Sequence, residues 1–199
     1  IPAEHIDARD VFVTDANFMM AEPQVDAIAE NARDLVQPLI QAGKVPVMGG
    51  FIGRTAGGIT TTLGRGGSDY SASLLGAALQ AEAIEIWTDV DGMLTADPRV
   101  VKGSKLIEQI RFDEASELAS FGAKVLHPST IAPAVRLGIP VFIYNSRNPA
   151  SKVTSLPFDA RRRAVVEISG PGGLTGGKVL GAERLVLGEK IRIRRVRAI

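Results

Sequence analysis

The sequence contains no cysteine and only two histidines, His5 and His127. The absence of cysteine excludes disulfides, thiolate zinc sites and a cysteine nucleophile, and two histidines are too few for a histidine metal cluster. No apolar run approaches the ~20 residues that a membrane-spanning helix needs. We therefore expect a soluble protein with no protein-bound metal and no membrane partner. A reducing cytoplasm is compatible with this composition.

Hydrophobic residues make up 45% of the 199 residues and charged residues 23%, as in ordinary globular proteins. The net charge of +1 hides an asymmetry between two segments. Residues 1–155 hold 13 Lys and Arg against 18 Asp and Glu, whereas residues 156–199 hold 10 against 4. This shift predicts a domain over 1–155 and a basic, Gly- and Arg-rich tail over 156–199. Because the sequence begins with Ile1 and shows no signal peptide, we expect a fragment.

Helical and strand patterns alternate along residues 1–155, which indicates α/β layering with a largely parallel sheet. The segments "RDVFVTD", "AIEIW" and "PVFIYN" are strand candidates, and "KVPVMGGFIG" reads as a buried strand that ends in glycines. Apolar residues recur at helical spacing in "EPQVDAIAENARDLVQPLIQAG", where Gly43 supplies the stop. In the tail, Ala164 to Ser169 is a strand candidate, and the Arg-rich end is compatible with either β-structure or poor order.

A glycine-rich segment, "TTTLGRGGSDYSA", runs from Thr60 to Ala72. Its glycines allow close approach to a ligand, and a helix predicted from Ser68 to Gln80, with Ser68 as its N-cap, would point N–H groups into the loop. Arg65 adds a planar fork that matches a carboxylate or a phosphate. Asp69 would repel an anion unless it binds an ammonium. The alternative is a tight strand-to-helix turn with an exposed arginine.

A second segment, "WTDVDGMLTADPRV", places three acids and Arg99 after a predicted strand. Ligands of α/β sheets bind outside the carboxyl ends of strands, so a ribose or magnesium site is one interpretation. An ordinary loop, with Asp-Gly and Asp-Pro as turn formers, is the other.

The third segment, "FGAKVLHPST", places Lys124 after an amphipathic helix in which Phe112 precedes a predicted Asp113 cap. A lysine there could neutralise phosphoryl charge, and a solvated surface lysine is the alternative. Pro128 suits the first turn of the helix predicted in "PSTIAPAVRLG". The segment "GGLTGGKV", from Gly172 to Val179, approaches the P-loop pattern, but valine stands where Ser or Thr should hold magnesium.

Together, "TTTLGRGGSDYSA", "WTDVDGMLTADPRV" and "FDEASELASFGAKVLHP" resemble, in this order and spacing, the aspartate kinases of the amino acid kinase family. The resemblance covers residues 1–155. It implies a three-layer α/β/α, carbamate-kinase-like fold, here partial, with a mainly parallel sheet. It also implies transfer of the ATP γ-phosphate to L-aspartate, giving 4-phospho-L-aspartate for lysine, threonine and methionine biosynthesis. Mg²⁺ would enter as Mg-ATP, and the intact enzyme would be a cytoplasmic homo-oligomer.

The resemblance also implies roles for particular residues. Catalytic roles would fall to Asp69 and Lys124. Binding of the amino-acid substrate would involve Arg65, Gly66, Gly67, Ser68 and Asp69. Binding of ATP would involve Ser68, Thr88, Asp89, Leu94, Thr95, Asp97, Arg99, Lys124 and Val125.

The sequence departs from that family in three respects. The family's Lys-Phe-Gly-Gly-Thr-Ser segment, whose lysine stabilises the transferring phosphoryl group, does not occur in it. Leu94 stands where the family usually has an aromatic residue, and the tail does not resemble the family's regulatory ACT domains. We therefore expect nucleotide binding at best from this chain alone. Alternative readings are a kinase acting on glutamate or N-acetylglutamate and a non-catalytic nucleotide-binding or subunit-interaction module. A third is a nucleic-acid-binding arm formed by the tail, but the tail lacks a recognisable nucleic-acid-binding module, so we expect no nucleic-acid partner.

Overall fold

The computed structural model describes residues 2–97, 99–120, 128–147, 154–156, 184–187, 190–193 and 195–198. The helices, in chain order, are α1 (Ala8–Val11), α2 (Val25–Asn31), α3 (Gln37–Gln41), α4 (Gly67–Ala78), α5 (Phe112–Ser120) and α6 (Ala132–Arg136). The strands are β1 (Ala3–His5), β2 (Val13–Thr14), β3 (Val45–Val47), β4 (Ile52–Thr55), β5 (Thr60–Thr62), β6 (Ala83–Thr88), β7 (Val141–Asn145), β8 (Thr154–Leu156), β9 (Arg184–Leu187), β10 (Lys190–Ile193) and β11 (Arg195–Ala198).

Parallel pairing predominates in the described sheets, as the alternating sequence pattern predicts. The parallel pairs are β1–β3, β2–β4, β6–β7 and β6–β11, and the antiparallel pairs are β4–β5, β7–β8 and β9–β10. Helices separate the parallel strands, because a parallel pair needs a crossover connection. In the part of the chain that the structure describes, no helix is both long and apolar enough to cross a membrane.

The segment "RDVFVTD" forms the predicted strand only in its last part, at Val13–Thr14. The Asp7 side chain accepts a hydrogen bond from the Arg9 backbone N–H at 3.0 Å and thereby caps α1, which takes up residues 8–11. The strand that follows, β2, is only two residues long. A local capping interaction therefore overrides the strand propensity of the valines.

The predicted amphipathic helix before Gly43 forms, as α2 and α3 joined by a π-helical stretch, Ala32–Val36. Its buried side chains follow the predicted spacing of one helical turn: Ile28, Ala32, Val36 and Ile40. In contrast, β3 is not the buried strand that we expect from its apolar sequence, since Val47 is 50% exposed.

The best-buried layer of the described chain consists of α4 packed on β6. Residues 83–86 of β6 are all buried, and a Cβ added to Gly76 of α4 would stand 2.7 Å from Ile84 Cδ1. At the end of the strand, the Trp87 and Tyr144 rings of β6 and β7 stack with centroids 4.7 Å apart. The paired and stacked ends of β6 and β7 thus support the loop that follows β6.

The first turns of α5 and of the helix after Lys124 differ from their predicted form. The helix α5 begins at Phe112, so Asp113 lies in its first turn and is not its cap. The helix predicted after Lys124 is a 3₁₀ turn, Pro128–Ile131, followed by α6. The tail strand predicted over 164–169 and the P-loop-like segment over 172–179 lie outside the described residues.

Candidate functional site

The glycine-rich segment forms a sharp turn between β5 and α4. Gly64 and Gly66 have φ angles of 76° and 72°, a region that glycine enters without steric cost. Gly66 is the residue before the helix, and among the described residues no side chain forms a capping hydrogen bond at the start of α4. The predicted N-cap, Ser68, is therefore wrong, because the helix begins one residue earlier, at Gly67. An uncapped helix start next to the exposed Arg65 is suited to an anionic group.

A second glycine-flanked loop, at Phe51, packs against this turn and is not among the site residues predicted from the sequence. Phe51, with a φ of 76°, holds a left-handed conformation that is unusual for a bulky residue. Its N–H donates to the Ser71 hydroxyl at 3.0 Å, and that hydroxyl donates to the Gly67 carbonyl at 2.9 Å. Its own carbonyl accepts from the Leu63 N–H at 2.9 Å. The glycines of "MGGFIG" are the sequence feature that could have predicted this loop.

The two loops approach so closely that side chains are excluded between them. A Cβ on Gly67 would stand 2.6 Å from Phe51 Cδ2, and a Cβ on Gly50 would stand 3.0 Å from Ser68 Cα. Glycine at these positions is therefore a packing requirement. The result is a close-packed cradle at the start of α4, formed by residues 49–51 and 63–69, with Phe51 partly exposed at its edge.

Asp69 lies in the first turn of α4, as the sequence predicts, and is partly buried. Burial raises the pKa of its carboxyl group above the ordinary value. Among the described residues, no side chain forms a hydrogen bond or ion pair with this carboxylate. A partly buried acid without a cationic partner is a good receptor for an ammonium group, since an ion pair there would offset the cost of desolvation.

The residues 15–22 form a third wall of the cradle. Asp15 Oδ1 closes this loop by accepting from the N–H groups of Asn17 at 3.1 Å and Glu22 at 2.9 Å. The Phe18 carbonyl accepts from both the N–H (3.0 Å) and the hydroxyl (2.8 Å) of Thr62. Gly64 lies against this wall, because a Cβ there would be 3.2 Å from the Met19 carbonyl oxygen.

The acidic loop begins where β6 ends. The Thr88 carbonyl accepts from the Ser146 N–H at 2.7 Å and from its hydroxyl at 2.9 Å, which ties the ends of β6 and β7 together. Asp91 accepts from Asn145 Nδ2 at 2.7 Å and so has a structural role. Asp89 is exposed, and within the described part of the chain its one side-chain hydrogen-bond partner is the Thr88 hydroxyl, at 3.4 Å. Asp89 is therefore available to a ligand in a way that Asp91 is not.

Further along this loop, Thr95 and Asp97 form hydrogen bonds with other residues of the segment 94–106. The Thr95 hydroxyl accepts from the Lys105 N–H at 3.0 Å, and the Leu94 backbone bridges to Leu106. Asp97 accepts from the Arg99 guanidinium at 2.7 and 3.0 Å, and this contact raises the pKa of Arg99. The pair is exposed, so a phosphate could compete with Asp97 for Arg99 at small cost.

The cradle and the acidic loop both lie at the carboxyl end of strand β6. Helix α4 leads directly into β6 and runs antiparallel to it, with Gly76, near the helix end, against Ile84, near the strand start. Over 12 helical and 6 strand residues the two elements have similar lengths of about 18–20 Å. Because the two elements run in opposite directions and have similar lengths, the start of α4 lies near the carboxyl end of β6. Lys124, Val125 and His127 lie outside the described residues.

Known proteins resemble this chain in sequence and in fold. The sequence pattern of the amino acid kinase family matches residues 1–145. The chain is 52% identical over 149 residues to lysine-sensitive aspartokinase 3 of Escherichia coli K12, covering 75% of this chain and 33% of that protein. It is 41% identical over 154 residues to an aspartokinase of Chlamydia trachomatis, covering 77% of this chain and 35% of the relative.

Among solved structures, the chain is similar to E. coli aspartokinase III in complex with aspartate and ADP. The TM-score is 0.72 at 48% identity, and the match covers 79% of this chain and 36% of that one. The chain thus spans about a third of the length of these relatives. The match confirms the α/β amino-acid-kinase fold class that the sequence motifs implied. This chain belongs to the amino acid kinase family.

Proposed function

We propose that the chain is the part of an aspartate kinase that carries one face of the aspartate site and most of the ATP site. The observation that carries this proposal is the cradle at the start of α4, in which the exposed Arg65 and the partly buried Asp69 follow one another within five residues. The two charges match the carboxylates and the ammonium of an amino acid. The similarity to aspartokinase III in complex with aspartate and ADP supports the same assignment.

On the amino-acid side, Arg65 binds a carboxylate of L-aspartate with its planar fork, and Asp69 binds the ammonium. The backbone of Gly66 and Gly67 and the hydroxyl of Ser68 complete the carboxylate site. The uncapped N–H groups at the start of α4 favour negative charge at this point. Phe51 is a further candidate for contact with the substrate, because it lies at the edge of the cradle.

On the nucleotide side, Thr88 and Asp89 contact the adenosine portion of ATP, since the exposed Asp89 carboxylate can accept from ribose hydroxyls. The segment 94–99 lines the nucleotide, and Arg99 exchanges Asp97 for a phosphate. Lys124 and Val125 complete this site. When bound, the Mg²⁺ of Mg-ATP supplies charge neutralisation at the transferring phosphoryl group. The intact enzyme is, in this proposal, a cytoplasmic homo-oligomer.

The reaction requires the protein mainly to align the two substrates and to neutralise charge on the phosphoryl group. The aspartate side-chain carboxylate is already a nucleophile, so no strong base is needed for in-line attack on phosphorus. The cradle fixes the attacking carboxylate, and Lys124 neutralises phosphoryl charge. Asp69 positions the substrate ammonium and the catalytic lysine of the family's Lys-Phe-Gly-Gly-Thr-Ser segment.

Nucleotide binding is tested by calorimetric titration of ATP into the 199-residue chain. We expect Asp89→Ala and Lys124→Ala to weaken binding by roughly tenfold each, which corresponds to about 1.4 kcal/mol. Asp34→Ala, at an exposed position outside the site, serves as the matched control. Unchanged ATP affinity in both site variants would reject the nucleotide site.

The substrate is tested by offering aspartate, glutamate and N-acetylglutamate with ATP. We expect phosphorylation of aspartate alone, and only when a segment with the family's Lys-Phe-Gly-Gly-Thr-Ser motif is supplied together with the chain. Arg65→Ala should then raise the KM for aspartate by one to two orders of magnitude, because a charge-assisted hydrogen bond contributes about 1.5–3 kcal/mol. Arg33→Ala is the control. A preference for glutamate would identify a sibling kinase instead.

A further inference from the structure

The loop after β6 is hydrogen-bonded to the end of β7 on both sides of Asp89. Before Asp89, the Thr88 carbonyl accepts from the Ser146 N–H at 2.7 Å and from the Ser146 hydroxyl at 2.9 Å. After Asp89, Asp91 Oδ1 accepts from Asn145 Nδ2 at 2.7 Å. The backbone of Asp89 is therefore held between two residues that both attach to β7.

Asn145 has a fixed position from which to hold this loop. It is the last residue of β7, opposite Thr88, and is 8% exposed. Its Oδ1 accepts from the Arg147 N–H at 2.8 Å, while its Nδ2 faces the Asp91 carboxylate. An N–H on one side and a carboxylate on the other define the orientation of the amide group. One side chain thus connects the end of the strand, the segment after it and the acidic loop.

The chain leaves this turn in an equally defined way. Asp91 is followed by Gly92, whose φ of 127° other residues rarely adopt, and then by Met93, which is fully buried. Asp89 and Val90 are thus exposed at the tip of a short turn whose two ends are fixed. A turn of this kind presents its carboxylate in one place before a ligand arrives, which lowers the entropic cost of binding.

We propose that Asn145 is a positioning residue of the nucleotide site, which acts through Asp91 to hold the turn that presents Asp89 to the ribose hydroxyls of ATP. The inference rests on the proposed function, in which Asp89 contacts the adenosine portion of ATP. It gives the end of β7 a role in binding, although no residue of β7 belongs to the predicted site.

The test exchanges the donor and the acceptor of the Asn145–Asp91 hydrogen bond. Asn145→Asp places two carboxylates against each other, whereas Asp91→Asn keeps an oxygen that can still accept from Asn145. In the double variant, the carboxylate at position 145 can accept both from the amide at position 91 and from the Arg147 N–H. The hydrogen bond is therefore broken in one single variant and restored, in the reverse direction, in the double variant.

Calorimetric titration of ATP into the full 199-residue chain is the first measurement. We expect Asn145→Asp to weaken ATP binding by roughly tenfold, and Asp91→Asn and the double variant to stay within about twofold of the unmodified chain. Unchanged affinity in Asn145→Asp would overturn the proposal. Weak binding by the double variant would do so as well, because the effect would then come from another contact of Asn145.

Asn31→Asp is the matched control for a general loss of stability. Asn31, in α2, is also partly buried, and its Nδ2 donates to the Val11 carbonyl at 3.2 Å. This variant loses a comparable hydrogen bond outside the carboxyl end of β6, so it should be destabilised but bind ATP as the unmodified chain does. An equal loss of ATP affinity in the Asn31 and Asn145 variants would refute a positioning role.

Hydrogen–deuterium exchange over residues 88–93, without ATP, is the second measurement. We expect faster exchange there in Asn145→Asp and normal exchange in the double variant. Unchanged exchange in Asn145→Asp would show that Asn145 does not hold the turn. Absence of ATP binding by the unmodified chain, in contrast, would reject the nucleotide site of the proposed function, and with it the role of Asn145 towards ATP.

Discussion

At the scale of single residues, Gly67 determines how closely the two loops of the cradle can approach. A Cβ at this position would stand 2.6 Å from the Phe51 ring and 3.3 Å from Leu63 Cβ. We expect Gly67→Ala to lower the free energy of unfolding by about 1–3 kcal/mol, because overpacking of a buried site has that cost. Chemical denaturation would measure it.

A matched glycine substitution separates this packing effect from the general effect of replacing glycine. In the turn between β4 and β5, a Cβ on Gly57 would meet only Thr55 Oγ1, at an ordinary 3.7 Å. Gly57→Ala should be neutral or stabilise by about 0.5 kcal/mol, because alanine restricts the unfolded chain. Equal destabilisation at both positions would contradict the packing argument.

A pH dependence of stability follows from the burial of Asp69. Burial raises the pKa of this carboxyl group, so deprotonation is less favourable in the folded than in the unfolded chain. The contribution of Asp69 to stability is therefore greatest below the ordinary pKa of aspartate. It falls as the pH rises from there through the raised folded pKa, and then stays constant.

Asp69→Asn removes this titration. The difference in unfolding free energy between the variant and the unmodified protein should shift in favour of the variant as the pH rises through that window. Ser68→Ala, next in the sequence and without an ionisable group, should leave the pH profile unchanged. Denaturant midpoints measured from pH 3 to pH 8 would check both, and parallel profiles for all three proteins would refute the role of burial.

At the scale of elements, Ser71 joins the loop of Phe51 to helix α4. Its buried hydroxyl accepts from the Phe51 N–H and donates to the Gly67 carbonyl. In Ser71→Ala the Phe51 N–H loses its acceptor, which should cost about 1–3 kcal/mol. Faster hydrogen exchange at the Phe51 amide would distinguish this local effect from uniform destabilisation. Ser73 lies in the same helix, α4, and its hydroxyl accepts from the Ala134 N–H. Ser73→Ala should leave the Phe51 amide protected.

The elements also show which features the sequence could predict. Helix α4, Asp69 in its first turn and β6 follow from local patterns, since apolar spacing and glycine punctuation act over a few residues. The predicted Ser68 cap failed because Gly66 turns the chain in a left-handed conformation, so that the helix already begins at Gly67, which packs against Phe51 and Leu63. The strand predicted in "RDVFVTD" is shortened to Val13–Thr14, because the Asp7 cap places the preceding residues in α1.

At the scale of the whole molecule, the sheet order could not be read from the sequence. An apolar run indicates a strand but does not show which strands become neighbours, because pairing depends on contacts between distant segments. The position of β11 beside β6 is an example, as is the exposure of β3 despite its apolar sequence. The placement of the two site loops, at the start of α4 and after β6, was more predictable, because short-range patterns determine both elements. The position of Phe51 against the start of α4 was not, since it arises from a conformation and not from a residue type. The roles of the residues in these loops stay predictions.

The loop over 15–22 gives the molecule an uneven sensitivity to oxidation. Met19 is 81% and Met20 is 71% exposed, beside the proposed aspartate site, whereas Met93 is fully buried. Hydrogen peroxide should convert Met19 and Met20 to sulfoxides well before Met93, as peptide mass spectrometry would show. Two polar sulfoxides would then stand against Gly64, at the entrance to the cradle. The wall that shapes the site would thus also be the part of the chain most open to oxidative damage.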